Sequence, residues 1–387
     1  MWYFGSPTIV FGEDALNELA SLKGERAFIV TDPNIARLGL VDKVTAQLAI
    51  AGIQHRVFAE VEPDPSTETV KRGAQQIREY APDWIVGLGG GSSMDAAKAM
   101  WVLYEHPEMV PEEINPLVQL GLGKRARLIT IPTTSGTGAE ATWAIVLTDT
   151  QEGRKLALGS RENMAYMAIV DPALVAGLPP RIAADTGMDA LTHAVEGYTV
   201  TWHNDFCDGL CLVATKLVFE YLPRSVADAS DKEAREKMHN AASIAGLGFG
   251  NSLAAMAHAM GHSLGAVFHT PHGRAVGLVL PYTIEFTGDV MGERYGDLAR
   301  FAGIPGAPSA RPARLLADAI RGLARKIGQP LSLKEAGISA EQFEAGLPRL
   351  VANAESDATL VVSARMPDTA ELERLYRCTF EGKPIDF

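Results

Sequence analysis

Three cysteines in 387 residues are too few for a disulfide framework. Cys207, Cys211 and Cys378 also lack the paired spacing of a zinc motif, so they read as free thiols in a reducing compartment. No apolar run reaches the roughly 20 residues that a membrane-spanning helix needs. Positive charge is scarce as well. Against 47 Asp and Glu stand 35 Lys and Arg, a net charge of -12, which argues against nucleic acid as a partner. The opening MWYFGSPTIVFG has no basic stretch ahead of an apolar one, so no secretory leader is expected, and the cytoplasm is the expected location. What is left is a chain that is 47% hydrophobic and long enough for two domains, each with its own core.

Histidine is scarce too, with nine in all, yet four of them fall in HAMGHSLGAVFHTPHG: His258, His262, His269 and His272. Imidazole is the commonest protein ligand of a divalent metal. Four buried core imidazoles would each need a hydrogen-bond partner, and neighbours such as Ala257, Met260, Leu264 and Phe268 offer none. Upstream, DALTHAVEGY sets Asp189 and His193 four apart in a helical pattern, which puts carboxylate and imidazole on one face. That spacing alone is more often a surface pair than a ligand pair. Together the two segments favour a metal site.

The first 180 residues alternate short apolar runs (RAFIVT, HRVFAE, DWIVGLG, RLITIPT) with helical patterns, the signature of βαβ units over a parallel sheet. After Pro179 and Pro180 the texture becomes helical throughout. The domains expected are therefore 1–180, an α/β nucleotide-binding domain, and 181–387, all-α. Within the first, GLGGGSSMDAAKAM follows a strand and opens a helix; Gly89, Gly90 and Gly91 let the backbone pass close to a ligand, and the amides of Gly91, Ser92 and Ser93 suit a pyrophosphate. A tight strand-to-helix turn would use the same glycines. The loop IPTTSGTGAEAT supplies Thr133, Thr134, Ser135, Thr137 and Thr142 after another strand. Asp32, following RAFIVT, stands where an acid binds a ribose diol, though Asp-Pro is also ordinary turn chemistry. No nucleophile elbow is present, and Ser135 has no base beside it in sequence.

The order GGGSSMD, PTTSGTGAEAT, DALTHAVEGY, HAMGHSLGAVFHTPHG resembles the iron-containing, group III alcohol dehydrogenase family, which includes lactaldehyde reductases and 1,3-propanediol dehydrogenases. The resemblance runs over nearly the whole chain. It implies a Rossmann-like dinucleotide-binding domain followed by an all-α metal-binding domain, as in dehydroquinate synthase-like folds, and a homodimer or larger homo-oligomer. It implies Asp189, His193, His258 and His272 as metal ligands, with iron as the family's metal and Zn(II), Mn(II) or Co(II) as chemical alternatives. It further implies His262 beside substrate and nicotinamide, and Asp32, Gly90, Gly91, Ser92, Asp95, Thr133, Thr134, Thr142 and Lys155 around NAD, or NADP. His269 is then no ligand. The reaction implied is hydride transfer between NAD(H) and a small alcohol or aldehyde.

Two other readings remain. A metal- and NAD-dependent lyase of the dehydroquinate synthase type would need basic residues around an anionic substrate, and near the ligand segments only Arg274 qualifies. A non-catalytic metal-binding protein would need no glycine and threonine loops. Ser263, Trp143 and Ala144 leave the substrate itself open, and Trp143, Phe249 and Met256 are candidates for an apolar pocket or for ordinary core.

Overall fold

The computed structural model describes residues 3–150 and 154–387. They form two compact units: residues up to Thr134 with Gly138–Gly177, and Ser135–Thr137 with Leu178–Phe387. Trp2 of the apolar opening lies outside the described residues.

The first unit is built on strands β1 (Thr8–Phe11), β2 (Arg26–Val30), β3 (Gln54–Phe58), β4 (Trp84–Gly89), β5 (Arg127–Pro132), β6 (Ala144–Asp149), β7 (Arg154–Gly159) and β8 (Met167–Val170). Six of these make one parallel sheet in the order β1-β8-β5-β4-β2-β3. The helices are α1 (Pro33–Arg37), α2 (Leu40–Ile50), α3 (Thr67–Tyr80) and α4 (Gly91–Glu105). The run WIVGLG is buried along its whole length, as a central parallel strand covered on both faces must be. From β2 the chain passes to β3 on one side and then to β4 on the other. The topological switch point therefore lies between the carboxyl ends of β2 and β4, where a doubly wound sheet opens its ligand crevice. One element departs from the pure βαβ expectation: β6 and β7 pair antiparallel as a separate two-stranded hairpin. Trp143, at its base, packs on Gly159, where an added Cβ would sit 2.9 Å from the indole.

The second unit is helical: α5 (Pro180–Thr199), α6 (Asp205–Ala227), α7 (Lys232–Gly250), α8 (Met256–Phe268), α9 (His272–Phe286), α10 (Gly288–Phe301), α11 (Pro312–Lys326), α12 (Ala340–Ser356) and α13 (Thr369–Glu381). Pro180 opens α5 at a position where a missing N–H is no loss. One large apolar core spans these helices, with Tyr282, Tyr376, Phe286 and Phe343 among its largest buried side chains, and two small clusters lie beside it among the described residues. Among the described residues no helix is long and apolar enough to cross a membrane.

Candidate metal centre and dinucleotide turn

Helix α5 places Asp189, His193 and Glu196 at i, i+4 and i+7, one buried stripe on one face. His258 and His262 stand one turn apart on α8, and His272 opens α9. These three helices bring one ligand atom each from Asp189, His258 and His272 within 4.8 Å of one another. Asp189 Oδ1 lies 3.4 Å from His272 Nε2 and 3.8 Å from His258 Nε2. The edge of a tetrahedron with bonds of about 2.1 Å is about 3.4 Å, so these spacings suit ligands around one small cation. His193 borders this group without belonging to it, through different ring nitrogens: Nε2 is 2.9 Å from His258 Nε2 and Nδ1 3.7 Å from Asp189 Oδ1.

Asp189 Oδ1 and His193 Nδ1 are buried and take no hydrogen bond. A buried carboxylate oxygen without a donor is costly unless a cation meets it, so the donor set fits a divalent metal. Burial opposes ionisation of Asp189, yet the imidazoles of His193 and His272 hold its carboxyl below the ordinary carboxylate range. Burial pushes His193 down to about 3, which keeps its imidazole neutral, the form that ligates. His272 is 32% exposed where Asp189 is 2%, so the group opens on the His272 side.

The supporting shell was not read from sequence. Glu196 accepts the amides of Ala255 and Ala257 at 2.9 and 2.5 Å and the Nδ1 of His258 at 2.5 Å. It thus caps the otherwise uncapped start of α8 and fixes the ring nitrogen that His258 leaves for Asp189. Its position seven after Asp189 was the available signal. Phe249 stacks on His193, with ring centroids 3.9 Å apart. Met256 is core. Gly273 seats α9 on α5: an added Cβ would lie 2.2 Å from the Asp185 carbonyl oxygen. Arg274 is bidentate to Asp185, which also accepts from Gln329. His262 Nδ1 is 2.8 Å from Asp357, 95 residues away in sequence. His269 is the left-handed C-cap of α8, and His203 pairs with Asp208. Ser135 does meet an imidazole, His239, at 3.2 Å. Burial pushes that ring down to about 3 and its Nε2 has no partner to orient it, so no nucleophile triad forms.

In the first unit, Gly89 has φ +147 and its Cβ would fall 2.6 Å from Ser93 Oγ, so only glycine fits. Gly90 is the N-cap of α4, with no side-chain cap and no acid in the first turn. The amides that Gly91 and Ser92 begin are therefore open to an anion. Thr133 N donates to the Gly89 carbonyl, and its Oγ1 is buried without a partner. Thr134 lies 3.6 Å from a Cβ built on Gly90. Asp32 caps α1 through Oδ1, while Oδ2 sits 3.5 Å from a Cβ built on Gly89. Asp32, the glycine turn, Thr133 and Thr134 thus converge at the switch point, and the turn fits a pyrophosphate. Three more of the anticipated residues have side-chain contacts of their own. Asp95 accepts from Val146 N and faces Lys98, Thr142 Oγ1 lies 3.4 Å from Lys98 Nζ, and Lys155 pairs with Asp64. Lys98 itself is fully buried and donates to the Ala144 carbonyl, tying α4 to β6.

The iron-containing alcohol dehydrogenase model matches residues 6–172, and the C-terminal model of the Fe-containing alcohol dehydrogenase family matches 183–380. The chain is 39% identical over 381 residues to an NADPH-dependent butanol dehydrogenase of Clostridium saccharobutylicum, covering 98% of each. It is similar to the crystal structure of a 1,3-propanediol oxidoreductase at TM-score 0.91, with 31% identity, 98% of this chain and 100% of that one. It is also similar to a sulfoacetaldehyde reductase of Bifidobacterium kashiwanohense in complex with NAD+, at TM-score 0.86 and 31% identity, covering 98% of each.

Proposed function

The chain belongs to the iron-containing alcohol dehydrogenase family, and on that footing we propose that Asp189, His193, His258 and His272 hold its metal and that its substrate is a small neutral aldehyde or the corresponding alcohol. It is a metal- and NAD(P)-dependent oxidoreductase. The observation that carries the ligand assignment is the buried, unbonded Asp189 Oδ1 set among imidazoles on three helices. Held by Asp189, His193, His258 and His272, a divalent metal would supply Lewis-acid polarisation of a carbonyl oxygen, and NAD(P)H would supply the hydride. The protein's own part is orientation. Glu196 keeps His258 turned to Asp189, and Phe249 holds the plane of His193. His262, one turn from His258, exchanges the alcohol proton at Nε2. The glycine turn, Thr133 and Thr134 take the dinucleotide phosphates, and Asp32 Oδ2 takes the ribose, which favours NAD.

Neutrality of the substrate is supported by Arg274. It is the cation nearest the ligand segments in sequence, and its guanidinium is bidentate to Asp185. That argues equally against the lyase reading, whose substrate is anionic. The protein is proposed to act in the cytoplasm as a homodimer or larger homo-oligomer. Metal-defined protein assayed with NADH and NADPH against a series of short aldehydes tests the reading. Sustained cofactor oxidation with neutral aldehydes is expected, and none after metal removal. Equal turnover without metal would refute the ligand assignment.

A further inference from the structure

His262 does not stand alone. Its ring lies 5.8 Å from that of His258 and 5.4 Å from that of His272, nearly parallel to the latter at 21°. Nδ1 is 2.8 Å from Asp357 Oδ2, and the two side chains are 11% and 13% exposed, so the contact is made almost out of water. The carboxylate is itself held. Its Oδ1 accepts Thr359 N at 2.9 Å and Thr359 Oγ1 at 2.7 Å, because Asp357 caps the short turn Ala358–Val362. An ionised carboxylate can only accept, so the ring must donate through Nδ1. A neutral imidazole bonded in this way has its lone pair at Nε2, which takes no protein partner among the described residues.

We propose that Asp357 is a positioning residue of this dehydrogenase: it locks His262 in the Nδ1–H form beside the ligand histidines, so that Nε2 meets the substrate as an acceptor. This rests on the reading of Asp189, His258 and His272 as the reaction centre. Without Asp357 the ring would be free to flip or to carry its proton on Nε2, and the alcohol would face a donor where it needs an acceptor. Nothing adjacent in sequence gives this role away, since the partner arrives from beyond α12.

The test compares wild type with Asp357→Asn, His262→Gln and the double variant, all zinc-loaded. Asn still caps the turn through its carbonyl oxygen, so zinc content and melting behaviour should match wild type. Asp357→Asn should lower kcat about 10- to 100-fold, the usual range for loss of a supporting partner, with KM for the dinucleotide unchanged. The double variant should be no slower than His262→Gln alone, because the carboxylate acts only through the ring. Ring 15N spectra should show His262 protonated on Nδ1 in wild type and mixed between its two nitrogens in Asp357→Asn. Unchanged kcat in the single variant, multiplicative losses in the double, or an Nε2–H ring in wild type would each overturn the proposal. Should wild type reduce no aldehyde, the functional reading falls instead, and the 15N spectra still decide for or against Asp357.

Discussion

Glu196 answers three donors with two oxygens, and none of the three can find water if it is removed. Glu196→Gln keeps the shape but points an N–H at a neighbouring N–H. Leaving a buried donor unmet costs about 1–3 kcal/mol, and loss of a ligand's supporting partner lowers metal affinity on the order of 10- to 100-fold. Competition with a fluorescent chelator, read beside a melting curve, should show both. Asp189→Ala and His258→Ala remove two of the proposed ligands outright. Each should abolish bound metal and turnover while NADH fluorescence still reports binding, because the glycine turn belongs to the other unit. Asp32 has two tasks, an N-cap through Oδ1 and a charge at the switch point through Oδ2. A carboxylate about 4 Å from a 2′-phosphate is opposed by about 4 kcal/mol per charge pair at an effective dielectric near 20. Even a quarter of that is about fivefold. Asp32→Gly should therefore raise the NADP-to-NAD ratio of kcat/KM at least several-fold with bound metal unchanged; a wild-type preference for NADP, or an unmoved ratio, would show that Asp32 does not read the ribose. Residues with unusual local company were legible in the sequence: the histidine cluster, the glycine triplet, the Asp-x-x-x-His pair. Those whose partners are distant were not. Asp357 follows Ser356 and precedes Ala358 with nothing in NAESDATLVV to mark it, and only the fold delivers it to His262.

Three helices meet at the ligand group, and their approach is set by glycine as much as by ligand. At Gly273 the carbonyl of Asp185 occupies the space a side chain would need, and at Gly261 the Val276 side chain and backbone do, with Cγ1 2.5 Å from an added Cβ. Gly273→Ala must push α9 off α5, and overpacking of this kind typically costs 1–3 kcal/mol. Because His272 immediately precedes it, the shift should also appear as weakened metal binding, whereas an alanine at the exposed Gly322 should weaken neither stability nor metal binding. A metal that joins α5, α8 and α9 also stabilises them by mass action. At a thousandfold excess over Kd the gain is about 4 kcal/mol, on the order of 10 °C for a chain of this size. A scan with and without chelator should recover most of that shift; coincident curves would mean the helices are not held by metal. Most elements could be read from period and punctuation: the sheet strands as apolar runs, α3 and α4 from their helical spacing, α5 from its paired prolines. The hairpin of β6 and β7 was not. Its pairing is fixed by the register of the two strands on each other, and a run such as AIVLTD looks the same in a parallel sheet.

The two edges of the sheet are finished differently. β3 closes one side of the sheet with exposed Gln54, His55 and Arg56, a polar margin bearing one charge that discourages pairing. β1 closes the other with Thr-Ile-Val-Phe, and Phe11 is 68% exposed. An apolar edge of that kind recruits a second chain, so sedimentation at micromolar concentration should show a dimer or larger, and Phe11→Lys should shift the distribution toward monomer. A wild-type monomer would remove the edge from the argument. The change of texture at Pro179–Pro180 told the sheet-bearing half from the helical half. That Ser135–Thr137 pack with the helices could not be read there, because it depends on Gly136 lying against Thr186 of α5. The register of β1 sets a schedule as well. Thr8 pairs with Met167 and Phe11 with Val170, so the first strand leaves the ribosome long before its neighbour in the sheet exists. At 5–20 residues per second, the wait is roughly 10–30 s. Once β5 is made it too waits for β8 on one edge, and a nascent chain stalled between residues 132 and 167 holds β1 unpaired and β5 paired only to β4, surfaces that a chaperone must shield or a protease will find.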